Sequence, residues 1–317
     1  MSTIERFLKS IYYDPKHPAG YGSVQDLYYA AKKKRKKITI PQVEKFLQSQ
    51  DTYTLHRPVK RKFQRRKILA KYLDHIWQSD LIDMQPISKE NRGFRYILVV
   101  VDVLSRYVFA VPIKDKTGNS VVNAFEKIFS KYKRIPKKVQ TDDGTEYFNA
   151  NFKSFLRKKN IIHYSTSSDV KAAIAERFIR TLKAKIYKYF TAKKTLHYLQ
   201  VLPKLIHGYN HRVHSAHKKR PVDVTKKTEK EVWKSLYGDY LQTDKHTDSK
   251  FKVGDIVRLT KIKRTFKKSY LKGWTDELFI VTEILKTKPL TYKIKDLTEE
   301  VLKGSFYKEE LTKVLLK

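Results

Sequence analysis

The chain has 317 residues, 40% of them apolar, and carries 69 Lys+Arg against 32 Asp+Glu, a net charge of +37. So large a single-sign excess argues against an acidic partner, a membrane protein or a simple metabolic enzyme, and points to a polyanion, of which nucleic acid is the commonest. The absence of cysteine excludes a disulfide scaffold, a thiolate nucleophile and any zinc site built with Cys.

The length suits two or three domains. The charge is spread along it: 18 Lys+Arg against 6 Asp+Glu in residues 1–75, 34 against 16 in 76–247, and 17 against 10 in 248–317. Every part could therefore meet phosphate, although a merely solvated, Lys-rich surface is the plainer reading. The longest apolar stretch, Tyr96 to Val101, is far too short to span a membrane, and the N-terminus lacks a signal-peptide core, so no membrane partner is expected.

Residues 1–50 read as a small helical domain. Ile4, Phe7, Leu8 and Ile11 form one stripe. Ser23 and Asp26 resemble a capping box, and Pro41 suits a first helical turn. Three short helices with a basic turn, Lys32 to Lys37, suggest a helix-turn-helix-like module or a plain three-helix cap. Residues 51–72 read as a basic linker: a phosphate-binding run, a nuclear localisation signal or a solvated tether. Residues 73–225 alternate strands and helices. Strands are predicted at Ile76–Met84, Tyr96–Val103, Tyr107–Ile113, Val139–Asp142 and Ile161–Ser165. Helices are predicted at Asn119–Tyr132, Phe152–Lys159, Lys171–Phe190 and Leu196–Tyr209. Three strands, then helix, strand, helix, strand and helices is the order of a ribonuclease-H-like mixed sheet. Residues 226–248 read as a linker helix. In 249–317, strands at Phe251–Leu259, Phe279–Leu285, Thr291–Leu297 and Val301–Phe306 suggest a small SH3-like barrel that binds DNA. The fold class is thus multidomain α/β, a ribonuclease-H-like core flanked by a helical domain and a β-barrel.

The chemistry falls on acids, which are scarce here. Asp80 lies in Trp77-Gln78-Ser79-Asp80 of the first strand, and Asp142 closes the fourth in Gln140-Thr141-Asp142-Asp143-Gly144. Glu176 stands early in the helix Ala172-Ala173-Ile174-Ala175-Glu176-Arg177-Phe178. In a ribonuclease-H-like sheet strands one and four are neighbours, so two carboxylates could converge and a helix supply the third. Such a set suits Mg2+, or Mn2+ in its place, because hard cations take oxygen ligands. Two ions about 3.5–4 Å apart can activate a water or hydroxyl and stabilise the leaving oxygen of an in-line displacement. The plainer reading is a set of strand-end and capping acids.

These motifs resemble the catalytic core of the retroviral integrase and transposase superfamily: Trp-Gln-x-Asp, Thr-Asp-x-Gly and an Ala/Ile-x-Glu helix start, in that order. The chain is most similar to the integrases of Polinton/Maverick-type DNA transposons and virophages, through Asp169-Val170-Lys171-Ala172-Ala173, Glu176-Arg177-Phe178-Ile179-Arg180-Thr181-Leu182-Lys183, Tyr209-Asn210, His214 and Pro221. Tyr12-Tyr13-Asp14-Pro15-Lys16-His17-Pro18 and Tyr53-Thr54-Leu55-His56 fit that group as well. The resemblance implies a DNA integrase of a mobile element or virus that trims 3′ ends with water and joins the freed hydroxyl to target DNA. It implies Asp80, Asp142 and Glu176 as catalytic metal ligands, double-stranded DNA as partner, a homo-oligomer joining two ends, and action in the nucleus of a host cell, with packaging in a virion as a further setting. Asp142 and Glu176 enclose 33 residues, slightly fewer than is usual in retroviruses, and the absent cysteines exclude the His/Cys zinc domain, so no zinc is expected.

Other residues compete. Asp83 falls on the opposite face of its strand from Asp80, Asp143 belongs to the turn and Asp102 has a structural place. Glu126 is the sharp rival for the third position, since ribonuclease H takes a glutamate from its first core helix. Arg180 and Lys183 share a helix face with Glu176 and could grip phosphates, as could Lys34, Arg35, Arg65, Arg66, Lys263 and Arg264. His207, His211 and His214 have metal-ligand spacing, but His214 resembles a structural position of the family. Trp274 is more readily a core residue than a DNA contact. The alternatives to an integrase are a ribonuclease-H-like nuclease using Glu126 and a catalytically inactive DNA-binding protein.

Overall fold

The computed structural model describes residues 2–34, 37–60, 62–165, 172–242, 249–261 and 271–316. The chain divides into two compact units. One joins Met1–Arg66 with His246–Lys317; the other is Lys67–Lys245.

Local sequence chemistry sets the first helices. Ser2 and Glu5 form a capping box at the start of α1 (Thr3–Tyr12). Ser23 and Asp26 exchange the same pair of bonds before α2 (Val24–Lys34). Pro41 occupies the first turn of α3 (Ile40–Gln48), where its missing N–H costs nothing. Leu8, Ile11, Leu27, Ala31, Val43 and Leu47 close a core among the three. The linker predicted over 51–72 begins instead as a fourth helix, α4 (Asp51–His56), because Thr54 and Leu55 are buried.

The second unit is built on β1 (Ile76–Asp83), β2 (Tyr96–Asp102), β3 (Val108–Ile113), α5 (Gly118–Tyr132), β4 (Lys138–Thr141), α6 (Ala150–Lys158), β5 (Ile162–Ser165), α7 (Ala173–Lys193), α8 (Leu202–Asn210) and α9 (Glu229–Gln242). The sheet runs β3-β2-β1-β4-β5. The first three strands are antiparallel, while β1, β4 and β5 are parallel. Strand alternation divides the side chains of β1 between two cores. Trp77 and Leu81 pack with Phe125, Phe129 and Phe152 of α5 and α6. Ile82 packs with Phe178, Leu182 and Ile186 of α7 on the other face. Helix α8 starts six residues later than the periodicity predicts, with Pro203 in its first turn.

The first unit resumes with β6 (Ile256–Leu259), β7 (Phe279–Leu285), β8 (Thr291–Asp296), β9 (Phe306–Tyr307) and β10 (Leu311–Lys313). Among the described residues they form one antiparallel sheet in the order β10-β6-β7-β8-β9, open at both edges, where the sequence suggested an SH3-like barrel. Strands β6 and β9 are also shorter than predicted, and Val301 makes only an isolated bridge to Lys295. The two ends of the chain meet through Arg258. Its guanidinium, 4% exposed, pairs with Asp51 at 2.6 Å and donates to the carbonyls of Thr275 and Asp276. Among the described residues no helix is long and apolar enough to cross a membrane.

Candidate active site

Parallel pairing of β1 with β4 sets the first two acids side by side. The register matches Trp77 with Val139 and Gln78 with Gln140. Continued two residues, it brings Asp80 level with Asp142, just past the end of β4. Asp80 alternates with Leu81 and so lies on the face that α7 covers, the side of Ile82. Asp83, of opposite parity, turns away and accepts from the backbone and side chain of Gln85.

The third acid is brought in by Gln78, which the sequence placed in the Trp-Gln-x-Asp motif without a role of its own. Gln78 is fully buried. Its Nε2 donates to Gln140 Oε1 at 3.1 Å, and its Oε1 accepts from Ile174 N and Ala175 N at 3.0 and 3.1 Å. The orphan N–H groups opening α7 are thus satisfied by a strand side chain two residues from Asp80. Helix α7 buries Ala175, Phe178, Leu182 and Ile186, which leaves Glu176, Arg180 and Lys183 exposed together on the opposite stripe.

Asp142 and the turn after it are shaped by Gly144. The Gly144 N–H donates to Asp142 Oδ1 at 3.3 Å. A Cβ on Gly144 would stand 2.7 Å from the carboxyl carbon of Glu146, so the Glu146 carboxylate lies folded over the glycine and a side chain there would push it aside. Tyr147, fully buried, fixes the far side with its hydroxyl 3.0 Å from Ser79 Oγ. Glu146 was also missed by sequence reasoning; the signal available was an acid four residues after Asp142 in the same glycine turn.

The electrostatics register the grouping. Asp80 is half-buried, and its carboxyl is pushed up to about 6, first by burial and then by the charges of Asp142, Glu176 and Glu146, against one backbone bond from Leu81 N. None of the four acids takes part in a salt bridge among the described residues, in a chain with 69 cations. Hard oxygen donors crowded without a cation match what Mg2+ or Mn2+ takes. The acids are nevertheless neighbours rather than a finished coordination sphere: among the described residues no three His, Asp or Glu stand close enough to hold a metal ion.

The rival and accessory residues fall elsewhere. Glu126 lies exposed on α5, on the helix layer opposite α7. Asp102 is fully buried, accepts from Ser105 and stands 3.5 Å from Arg134. Asp143 is exposed in the turn. The histidine spacing fails because α8 ends at Asn210. His207 and His211 stack on each other at 3.8 Å, while His214 stacks on His217 instead and is held down to about 4, mainly by burial. Lys34 ends α2, exposed; Arg65 lies over Phe63 and 3.8 Å from Glu310; Arg66 donates its backbone N–H to Tyr307. Arg35, Lys263 and Arg264 lie outside the described residues. Trp274 is 3% exposed, its Nε1 donating to Arg57 O at 2.7 Å.

Comparison with known proteins places this geometry. Residues 73–169 match the integrase core domain family. That stretch holds β1 to β5 with Asp80 and Asp142 and stops before Glu176. A transposon-derived protein of Caenorhabditis elegans is 35% identical over 200 residues, 62% of this chain and 66% of its own length. The retrovirus-related Pol polyprotein from transposon 412 of Drosophila melanogaster is 31% identical over 131 residues, 38% of this chain and 10% of the polyprotein. This chain therefore spans less than two thirds of either relative. The fold is shared with a chain of the simian T-cell lymphotropic virus intasome, at a TM-score of 0.58 and 17% identity, over 93% of this chain and 96% of that one. Residues 73–169 are an integrase core domain, in a chain similar to transposon-derived and retrovirus-related proteins.

Proposed function

We propose that the chain is a DNA integrase of a mobile element or virus, of the Polinton/Maverick or virophage kind, which trims DNA 3′ ends and joins them to target DNA. The observation that carries this reading is the unpaired grouping of Asp80, Asp142 and Glu176 at one end of the integrase-core sheet. These three would hold Mg2+ or Mn2+, with Glu146 beside them. When bound, two such ions supply activation of the attacking oxygen and stabilisation of the leaving one. The chain's own work is positional. Gln78 ties the start of α7 to β1, so that Glu176 keeps its distance from Asp80. The exposed stripe of Arg180 and Lys183 beyond Glu176 suits the grip on the scissile strand, a guanidinium forking a phosphate and an ammonium acting as a point charge. Displacement by water or by a 3′ hydroxyl needs no protein nucleophile, in keeping with a chain that has no cysteine. Two ends joined together call for a homo-oligomer, and the proposed setting is the nucleus of a host cell.

The test is a strand-transfer assay with element ends, run beside DNA binding. Asp80→Asn, Asp142→Asn and Glu176→Gln are each expected to abolish cleavage and joining while leaving affinity for DNA largely intact. An active Glu176→Gln beside a dead Glu126→Gln would replace the integrase reading with a nuclease of the ribonuclease H type.

A further inference from the structure

The unit that joins the two ends of the chain contains a cavity of about 580 Å³. Arg57, Lys60, Lys250 and Lys308 line it, with Glu309 as the acid among them. Pro58, Trp274 and Leu311 supply apolar wall. The wall is built rather than incidental. Trp274 Nε1 donates to Arg57 O, Gly273 N donates to Leu55 O at 3.0 Å, and Arg57 Nη1 donates to Thr312 Oγ1 at 3.1 Å. These three bonds hold the chain after α4 against β10 and the strand-like stretch at Trp274.

Four cations face one acid in the lining, so the charge is only partly compensated. Among the described residues, Lys60, Lys250 and Lys308 take part in no salt bridge. Lys250 is exposed at the rim, yet partial burial first, and then the charges of Arg57 and Lys308, hold it below the usual lysine range, with Glu309 opposing. Cations that crowd one another in a concave, partly apolar place gain from an anion of matching size. The volume falls in the range of small-molecule sites, roughly 300–1,000 Å³.

We infer that this cavity binds a phosphorylated group of nucleotide size, the phosphates against Lys60, Lys250 and Lys308 and the body against Trp274 and Pro58. Two sources carry that chemistry: a free nucleoside triphosphate and the 5′-phosphorylated single-stranded end of DNA. The inference is independent of the catalytic acids.

Calorimetric titration of the full chain in EDTA separates the outcomes, since no cleavage occurs there and binding alone is read. The probes are ATP, adenosine, a 5′-phosphorylated deoxytrinucleotide and the same trinucleotide without its phosphate. Lys250→Glu and Lys308→Glu are each expected to weaken the phosphorylated probe about tenfold or more, since each puts a like charge beside phosphate. Lys303→Glu, exposed in the same unit, is the control and should change affinity little. Lys250→Gln should show a smaller loss in the same direction, which guards against a misfolded charge reversal. ATP bound without the trinucleotide assigns the cavity to free nucleotide; a phosphate-dependent trinucleotide bound without ATP assigns it to DNA ends. No binding, adenosine binding as well as ATP, or equal effects of Lys250→Glu and Lys303→Glu would overturn the inference.

Discussion

Asp80→Asn should abolish catalysis and yet stabilise the metal-free protein. Burial and three neighbouring acids raise the Asp80 carboxyl from its ordinary 3.8 to about 6. Holding it ionised therefore costs the folded state roughly 3 kcal/mol at pH 8. The sign follows from linkage: a carboxyl whose folded value is raised contributes stability that is present below about pH 4 and lost as pH rises to about 6. Asparagine removes the charge while keeping an oxygen for the Leu81 N–H. The assay is thermal unfolding in EDTA at pH 4 and pH 8. At pH 8 the variant should melt about 6–12 °C higher than the parent, at about 2–4 °C per kcal/mol for a unit of this size. Near pH 4 the two should converge. Added Mg2+ should raise the parent at pH 8 and leave the variant almost unmoved, and the parent's response to Mg2+ should fade as pH drops through about 6. An Asp80→Asn variant no more stable than the parent at pH 8 would refute the claim that these acids repel one another in the folded chain.

Gln78→Leu strands two helix N–H groups, at about 1–3 kcal/mol for each buried group left unpaired, and leaves Gln140 Oε1 to the Tyr164 hydroxyl. Strand transfer should fall on the order of a hundredfold through displacement of Glu176, with DNA affinity kept; a variant of full activity would mean that Gln78 does not position the acid. Arg134→Ala leaves Asp102, fully buried, without its guanidinium and breaks the bond to Asp74 at 2.6 Å. Unfolding stability should drop by about 3–5 kcal/mol, and a loss well under 1 kcal/mol would mean that Ser105 and the Asp74 N–H satisfy Asp102 without the guanidinium. Lys183→Ala should weaken strand transfer more than DNA binding, whereas Lys159→Ala, an exposed lysine ending α6, should affect neither. Equal effects from both in the joining assay would reduce the α7 stripe to solvated charge.

Much of the core was written in the sequence because its signals are local. Alternating and continuous apolar runs marked all five strands of the second unit, and the acids stood in motifs at strand ends and a helix start. Pro203 could have corrected the start of α8, and α8's end at Asn210 removes the histidine spacing, since helical periodicity means nothing past the last turn. Other features had no local signal. Gln78 stands in the Trp-Gln-x-Asp motif, but its role emerges only when β1 pairs with β4 and its amide meets Gln140 and the start of α7, contacts spanning up to 97 positions. Glu146 joins the acids only once the turn after Asp142 brings it back beside Asp80. Asp51 reads as linker until Arg258, 207 positions away, buries its guanidinium beside it. Residue type and spacing determined which chemistry this chain could carry. Pairing across the sheet and between the chain's two ends decided which side chains share one place, because electrostatic repulsion, burial and hydrogen bonding act through space and not along the sequence.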